Sequence, residues 1–271
     1  MIKQAIIPLA GLGTRLLPLT SVYAKELLPI NGKPGLEYIL DECIDSGIKE
    51  IIFIISKKKE MIKKYFYNDA FYKNIIKKKR DPRLIKEYKK ILFYKKKIKF
   101  IYQNKPLGTG DAVLKTKKHI KDKFFLLLLP DDLIIKKNCS KSMISIHNRY
   151  KSSVMASMKV DKKTVSRWGI YKLGKKIDKR NYLIKDVFEK PSIQNAPSNR
   201  AVIGRYILPK NIFSKLENQK PGKDGEIHIT DAIQSLIYDN NKFIAHNFSG
   251  KYLDCGSMKG YIKSSLEISK I

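Results

Sequence analysis

Residues 9–30 read LAGLGTRLLPLTSVYAKELLPI, and they continue an apolar run that begins at Ala5. A short apolar run of this kind predicts a buried strand. The small-residue turn at 10–13 follows it directly, and a glycine turn at a strand end exposes backbone N–H groups that phosphates and bases can approach. Arg15 and Lys25 add two cations nearby. The stretch therefore predicts a turn that holds a polyphosphate.

The glycine pattern of this turn differs from two common phosphate-binding motifs. It is not a P-loop, because no Gly-Lys-Ser/Thr follows at the required spacing. It is not the dinucleotide fingerprint either, because the third glycine after Gly11 and Gly13 would fall at Leu16. Taken alone, Gly-x-Gly is a weak signal that also fits a plain tight turn.

The composition predicts a folded protein of one large α/β domain or two small ones. The chain has 271 residues, of which 43% are hydrophobic and 10% aromatic, enough for a substantial core. Its longest apolar stretch, 124–129, is far shorter than the roughly 20 residues that span a bilayer, and the N-terminus has no signal-peptide pattern. Three widely separated cysteines argue against a disulfide framework. We expect a cytoplasmic protein with no membrane contact.

The net charge of +31 is unusually high. A cationic face can bind nucleic acid by releasing counterions. However, Lys, Ile, Asn, Tyr and Phe are abundant together, which also fits compositional drift, and no nucleic-acid-binding motif accompanies the charge. The basic runs 57–59, 77–80 and 95–97 lie between apolar segments, where solvated surface is expected. We therefore expect no specific nucleic-acid partner.

Strand-like and helix-like segments alternate along the chain, the pattern of a mostly parallel sheet covered by helices. We predict an α/β fold with a Rossmann-like mixed, mostly parallel central sheet and helices on both faces. With no Gly- or Ser-rich linker, residues 1–271 form one predicted domain, with a first part at about 1–135 and a second part at about 136–265. Strands are predicted at 3–9, 50–56, 98–102, 124–129, 153–160, 169–173, 182–188 and 202–208, and helices at about 35–47, within 57–97, and at 110–120.

Three groups of candidate site residues each follow a predicted strand. They are the turn at 10–15, Gln103, and the pair Asp131 and Asp132. In an open α/β sheet, ligands bind outside the carboxyl ends of the strands. We therefore expect these groups to share one edge of the sheet.

Two motifs in the opening stretch resemble a known family. Residues 11–18, GLGTRLLP, and 25–29, KELLP, resemble the signature of sugar-1-phosphate nucleotidyltransferases. With Ala10 in front, the match is best to the bacterial members that use UTP and glucose-1-phosphate. Further motifs extend the resemblance in order to about residue 261. It implies the formation of UDP-glucose and pyrophosphate, and often a homo-oligomer. It also implies a nucleotide-binding part at about 1–135 and a sugar-phosphate-binding part at about 136–265.

Asp131 is the main candidate metal ligand. Carboxylates at the end of a central strand suit Mg²⁺, which needs only one or two protein oxygens beside substrate phosphates, although an Asp-Asp pair can also simply form a turn. Leu-Pro-Asp-Asp at 129–132 resembles the metal motif of the family, so we expect Asp131 to bind Mg²⁺ and Asp132 to shape the turn. Leu-Asp-Cys-Gly at 253–256 resembles the last active-site motif of the family, which makes Asp254 the second candidate ligand.

The resemblance also assigns a nucleotide site. The Gln103 amide can both donate and accept, so it can read the paired O and N–H edge of a pyrimidine. The family pattern places Gln103 and the Gly108 backbone against uracil, together with Ala10 and Gly11. Gly13 and Glu26 complete the set of nucleotide-binding candidates.

The sugar phosphate is assigned to the second half of the chain. Gly169, after Trp168, resembles the step that lets sugar hydroxyls approach the backbone. Glu-Lys-Pro at 189–191 resembles the motif in which Glu189 binds the sugar and Lys190 the phosphate, and Glu226 resembles a second sugar contact. A lysine outside this context is by default a solvated surface residue.

The implied reaction is attack by the phosphate oxygen of glucose-1-phosphate on the α-phosphorus of UTP. Catalysis is then mainly positioning and charge neutralisation. Arg15 and Lys25 are expected to hold the departing pyrophosphate, Lys190 the attacking phosphate, and Mg²⁺ to bridge the substrates.

Three other functions are compatible with parts of the sequence. A thymidylyltransferase, or an enzyme for another sugar, keeps the chemistry but changes a substrate; Ala10 and the long basic region at 57–97 favour the uridylyl branch. A silent regulatory paralogue should lack a site cation or the metal carboxylate, yet all four such residues are present: Arg15, Lys25, Asp131 and Lys190. A nucleic-acid-binding protein should bind RNA with a steep salt dependence.

Overall fold

The computed structural model describes residues 2–222 and 224–270, and its elements follow the apolar pattern of the sequence. The strands are β1 (Gln4–Pro8), β2 (Pro29–Ile30), β3 (Lys33–Pro34), β4 (Glu50–Ile55), β5 (Ile98–Tyr102), β6 (Phe124–Leu128), β7 (Asp132–Ile135), β8 (Ser153–Lys159), β9 (Ile170–Lys176), β10 (Asn181–Phe188), β11 (Arg200–Pro209), β12 (Phe243–Asn247) and β13 (Lys251–Asp254). The helices are α1 (Gly35–Asp45), α2 (Glu60–Tyr67), α3 (Asp69–Lys79), α4 (Pro82–Lys95), α5 (Gly108–Leu114), α6 (Cys139–Tyr150), α7 (Ile212–Asn218), α8 (Ile229–Tyr238) and α9 (Met258–Ile268).

Nine strands form one central sheet in the order β5-β4-β1-β6-β11-β8-β12-β10-β9. The first four of these strands are parallel to one another. Among the remaining described strands of this sheet, β8 and β12 pair in parallel. Strand β11 runs antiparallel to β6 and β8, and β10 runs antiparallel to β12 and β9. The prediction of a mixed sheet is confirmed, but its parallel character is limited to the first four strands and one later pair.

Each face of the sheet buries a separate apolar core. Along β1, Ala5 and Ile7 belong to one core and Ile6 to the other, because successive strand residues point to opposite faces. The first core includes residues of α1, α2, α4 and α6, and the second includes residues of α5, α7 and α8. The predicted helices on both faces are therefore confirmed. A strand covered on both sides must be apolar throughout, which explains why the parallel strands could be recognised.

Most of the predicted elements lie where they were expected. The strand at 98–102 has the predicted bounds, and the helix at 35–47 is observed as α1. The basic region at 57–97 folds into α2, α3 and α4, and α4 begins at Pro82 after the capping residue Asp81, the usual start of a helix. The helix predicted at 110–120 is shorter and earlier, because α5 already begins at Gly108.

The two predicted parts of the chain share one sheet. Strands from both predicted parts, before and after residue 135, belong to the same nine-stranded sheet. Among the described helices, none combines the length and hydropathy required to cross a membrane.

Candidate active site

The carboxyl ends of the parallel strands open onto one large cavity. The glycine turn follows β1, Gln103 follows β5 and Asp131 follows β6, and all three groups line a cavity of about 520 Å³, as expected for this edge of an α/β sheet. The predicted site residues in its wall are Ala10, Gly11, Gly13, Arg15, Lys25, Glu26, Gln103, Gly108, Asp131, Gly169, Glu189, Glu226 and Asp254.

Lys190 is the predicted site residue that does not line this cavity. Its backbone has a left-handed φ of 41°, and its ammonium nitrogen lies 3.6 Å from Glu189 Oε1. The side chain is 57% exposed, so solvent surrounds much of it. Contact with a ligand inside the cavity therefore requires a rotation of this long side chain.

Asp131 lies between two cations at the centre of the cavity. Its Oδ2 atom is 2.5 Å from Lys25 Nζ and 3.3 Å from an Arg15 guanidinium nitrogen. Burial alone would raise the pKa of the Asp131 carboxyl, but the charges of Lys25 and Arg15 outweigh burial and lower it. The same pairing raises the pKa of Lys25 in spite of burial. Both groups are therefore charged at neutral pH.

The glycine turn has a conformation that depends on glycine at position 13. Gly13 has a φ of +70°, a region in which residues with a Cβ atom are rarely found. A Cβ atom there would also lie 3.0 Å from the methyl group of Thr20, whose hydroxyl donates to the Gly13 carbonyl oxygen. This geometry leads directly into the short 3₁₀ turn at Thr14–Leu16, which carries Arg15 to the cavity.

The end of the cavity next to β5 is formed by Gln103 and the start of α5. Gln103 Nε2 donates to Asp111 Oδ2 at 2.8 Å and to the Gly108 carbonyl oxygen at 3.2 Å. Gly108 has a φ of +93°, and a Cβ atom on it would lie 2.8 Å from the Ile227 carbonyl oxygen. From the sequence, Gln103 was expected to donate and accept hydrogen bonds toward a base. In the structure its donor group, Nε2, instead points into the protein.

Glu26 forms a buried ion pair that was not predicted from the sequence. Both of its carboxylate oxygens accept from Lys59 Nζ, at 2.7 and 2.8 Å, and both side chains are less than a tenth exposed. The expectation of solvated surface for the run 57–59 is thus wrong for Lys59, because the turn after β4 directs it toward Glu26. Burial lowers the pKa of Lys59, and the charge of Glu26 opposes that effect.

The other end of the cavity is formed by residues of the second half of the chain, among them Gly169, Glu189 and Thr230. A Cβ atom on Gly169 would lie 3.1 Å from a Val202 methyl group, so the backbone is closely packed there. Glu189 Oε2 accepts from the Thr230 hydroxyl at 2.8 Å. Thr230 belongs to the first turn of α8 and lines the cavity beside Glu226.

Asp132 supports the turn beside Asp131. Its Oδ2 atom accepts from the Gly204 backbone N–H at 2.8 Å, and its Oδ1 atom accepts from the Tyr252 hydroxyl at 2.7 Å. These contacts agree with the turn-shaping role expected from the sequence. They leave Asp131 as the member of the pair that faces the two cations.

A fully buried arginine lies beneath this turn. The Arg205 guanidinium pairs with Glu42 and donates to the carbonyl oxygens of Leu129, Gly204 and Asp132. Its side chain is 0% exposed. A planar group with five donors suits such a set of acceptors, so Arg205 fixes the backbone on both sides of Asp131.

Asp131 and Asp254 fit a divalent cation. Both line the cavity, and carboxylate oxygens beside cationic phosphate-binding groups are typical of Mg²⁺ sites. The absence of a side chain on Gly256 keeps the space open, because a Cβ atom there would lie 2.9 Å from Asp131 Oδ2. Asp254 Oδ1 is oriented by the Gly256 backbone N–H at 2.8 Å, and Oδ2 by the Ser257 hydroxyl.

Comparison with known proteins identifies the family of the chain. The nucleotidyl transferase family model matches residues 4–271. A Streptococcus pyogenes serotype M3 protein named UTP–glucose-1-phosphate uridylyltransferase 2 is 38% identical over 271 residues, covering 98% of this chain and 90% of that protein. A UDP-glucose pyrophosphorylase complexed with UDP-glucose is 36% identical with a TM-score of 0.87, covering 100% of this chain and 99% of that one. The UTP-bound enzyme of Acinetobacter baumannii is 32% identical with a TM-score of 0.90, covering 99% and 93%. The chain therefore belongs to the nucleotidyl transferase family.

Proposed function

We propose that this chain is a UTP–glucose-1-phosphate uridylyltransferase, which transfers UMP from UTP to glucose-1-phosphate. A phosphate oxygen of the sugar phosphate attacks the α-phosphorus of UTP. The bond between that phosphorus and the oxygen bridging to the β-phosphorus breaks, and pyrophosphate leaves with the electron pair. The observation that carries the proposal is the Lys25–Asp131–Arg15 group. It lies in one cavity with Gln103, at the end assigned to the base, and Glu189, at the end assigned to the sugar.

The names of the relatives support this choice of substrates. The Streptococcus pyogenes relative is named for UTP and glucose-1-phosphate. Among the solved structures, one neighbour contains UDP-glucose and another contains UTP. These matches cover nearly all of both chains, so the comparison includes both ends of the cavity.

The nucleotide is assigned to the first half of the cavity. The backbone of Ala10, Gly11 and Gly13 lies against the nucleoside and its phosphates, and Gln103 and Gly108 contact the base. Glu26 is assigned to the same half, where its ion pair with Lys59 holds it in the cavity wall.

The phosphates are assigned to the cations around Asp131. Arg15 and Lys25 neutralise the β- and γ-phosphates as negative charge develops on the leaving pyrophosphate. Lys25 is well suited because it is buried and charged, and a charge interaction is stronger where water is excluded.

The sugar phosphate is assigned to the second half. Glu189 and Glu226 accept from sugar hydroxyls, and the Gly169 backbone approaches the ring. Lys190 holds the attacking phosphate after its side chain rotates from its present contact with Glu189. Correct alignment of the two phosphates accounts for much of the acceleration.

Asp131 and Asp254 are assigned to Mg²⁺. When bound, the ion polarises phosphoryl oxygens and neutralises their charge. The two carboxylates would hold the ion, and the Arg205 contacts keep the backbone beside Asp131 in place.

Three properties of the whole chain are proposed with the function. Residues 1–271 form a single domain, since one sheet contains strands of both parts. The protein assembles as a homo-oligomer, as members of this family often do. It acts in the cytoplasm, consistent with three free cysteines in a reducing compartment.

Pyrophosphate release from a panel of nucleotides and sugar phosphates tests the function. We expect the highest kcat/KM with UTP and glucose-1-phosphate, and activity that requires Mg²⁺. A preference for dTTP would instead make the chain a thymidylyltransferase. Absence of turnover with every pair would favour a non-catalytic regulatory paralogue.

A further inference from the structure

We propose that Asp111 determines the base selectivity of this site by fixing the orientation of the Gln103 amide. The inference deepens the proposed function and rests on it, because it concerns how the nucleotide is chosen. It makes Asp111 a positioning residue that acts through Gln103 and has no contact of its own with the base.

The hydrogen bonds of Gln103 define which end of its amide faces inward. Its two inward partners are the Asp111 carboxylate and the Gly108 carbonyl, and both are acceptors. The nitrogen end of a side-chain amide carries two donors, whereas the oxygen end carries none. The reverse orientation would place three acceptors together in a buried position, which is strongly unfavourable. Nε2 must therefore face inward.

The two acceptors are held by the surrounding structure. Asp111 is 4% exposed in the first turn of α5, and its second oxygen lies 3.2 Å from Lys115 Nζ. The backbone near Gly108 is fixed because the Gly110 N–H donates to the Ile227 carbonyl oxygen at 2.7 Å. The amide of Gln103 therefore has a preformed orientation, which lowers the cost of binding.

This orientation leaves Gln103 Oε1 as the group available to a nucleobase. Both Nε2 hydrogens are engaged, and Gln103 lines the cavity. Oε1 accepts no hydrogen bond from the described residues and is not among their buried unpaired atoms, so it is accessible, and we infer that it faces the cavity that Gln103 lines. A lone acceptor recognises an N–H group. Uracil presents N3–H on this edge, whereas cytosine presents an unprotonated N3 that would oppose the oxygen.

Substitution of Asp111 by asparagine tests the inference. An asparagine can present its amino group to Gln103, which removes one of the two acceptors that exclude the reverse amide orientation. The reverse orientation then becomes more accessible, and cytosine can accept from Nε2. We expect the full-length wild-type protein to bind UTP at least about 100-fold more tightly than CTP, since a site built to bond one group rejects an analogue that lacks it. In Asp111→Asn the CTP/UTP ratio of Kd values should fall at least about tenfold.

Two further variants separate this role from a general loss of structure. Lys115→Met removes the partner of the other Asp111 oxygen but leaves Oδ2 to accept from Gln103 Nε2, so the ratio should change by less than about twofold. Asp111→Ala removes the acceptor without supplying a donor, so its ratio should lie between those of wild type and Asp111→Asn. Calorimetric titrations with UTP and with CTP give all the Kd values, and circular dichroism confirms the fold.

The outcomes distinguish the inference from the proposed function. A ratio in Asp111→Asn within twofold of wild type, with the fold retained, refutes the role of Asp111 even if turnover is normal. Selective UTP binding without pyrophosphate release refutes the proposed function, and the ratio then decides the inference by itself. A wild-type protein that binds CTP as well as UTP refutes the inference directly.

Discussion

Lys25 Nζ and Asp131 Oδ2 lie 2.5 Å apart, although 106 residues separate them in the sequence. Lys25 is the cation proposed to hold the leaving phosphates, and Asp131 is the carboxylate proposed to hold Mg²⁺. The proposed phosphate-binding cation and the proposed metal-binding carboxylate are therefore in direct contact. Loss of either residue should impair both functions.

Asp131→Ala should leave a folded protein with almost no turnover. We expect kcat to fall by about 10³-fold or more, because a preorganised charge at the reacting phosphates is lost. Asp132→Asn is the matched control and should lose much less, since its oxygens bind the Gly204 backbone and Tyr252. Near-normal rates for Asp131→Ala with Mg²⁺ would contradict the proposed role.

Lys59→Met should destabilise the fold. Glu26 would remain buried without a partner for its charge, and breaking a buried ion pair in this way costs about 3–5 kcal/mol. Lys58→Met, at the exposed neighbouring position, should change the free energy of unfolding by less than about 0.5 kcal/mol. Denaturant titrations of the two variants measure the difference; equal stabilities would show that the Lys59–Glu26 pair has no such role.

Gly256→Ala should reduce activity more than stability. The added Cβ atom would lie 2.6 Å from an Arg15 guanidinium nitrogen and 2.9 Å from Asp131 Oδ2. Arg15 is a flexible side chain that can move away, so the unfolding free energy should change by less than about 1 kcal/mol. The displacement of Arg15 should lower kcat/KM about tenfold or more. Unchanged kcat/KM would mean that the Arg15 position observed here does not matter for turnover.

His246 should make the fold less stable in mild acid. Burial, with the nearby charge of Arg180, lowers its pKa from 6.5 to about 4, so the folded state favours the neutral imidazole. Its contribution to stability is fully present above pH 6.5 and is lost as the pH falls toward 4, at about 1.4 kcal/mol per pH unit.

The measurement for His246 is a comparison of wild type with His246→Gln. Denaturant unfolding at pH 7 and at pH 4.5 should show a smaller loss of stability in the variant. Burial also lowers the pKa of His147. This residue is present in both proteins, so its effect on the pH dependence cancels in the comparison. An identical pH dependence of the two proteins would exclude a titration of His246 in this range.

Much of the fold could be predicted because its signals are local. The run from Ala5 to Leu9 and the run at 124–129 are apolar throughout, as strands buried on both faces must be. The direction of the later strands could not be predicted. Strand β11 runs antiparallel to both β6 and β8, and nothing in its apolar pattern encodes which neighbours it has.

The site was predicted as a set of residues but not as a network. Motifs identified the residues of the cavity wall, since each motif is contiguous in sequence. Lys59 resembled its two exposed neighbours, and its burial depends on Glu26, 33 residues away. The Arg205–Glu42 pair spans 163 residues. Asp111 is only eight residues after Gln103, so a search for an acceptor on the following helix turn could have found it.

The most direct test of the account is to follow the phosphorus atoms of UTP. The protein is incubated with Mg²⁺, glucose-1-phosphate and UTP that carries label at the α-phosphorus in one sample and at the γ-phosphorus in another. Transfer of UMP predicts that the α label appears in UDP-glucose and the γ label in pyrophosphate, in equal amounts. Appearance of the γ label in the sugar product or in inorganic phosphate, or no product at all, would contradict the account.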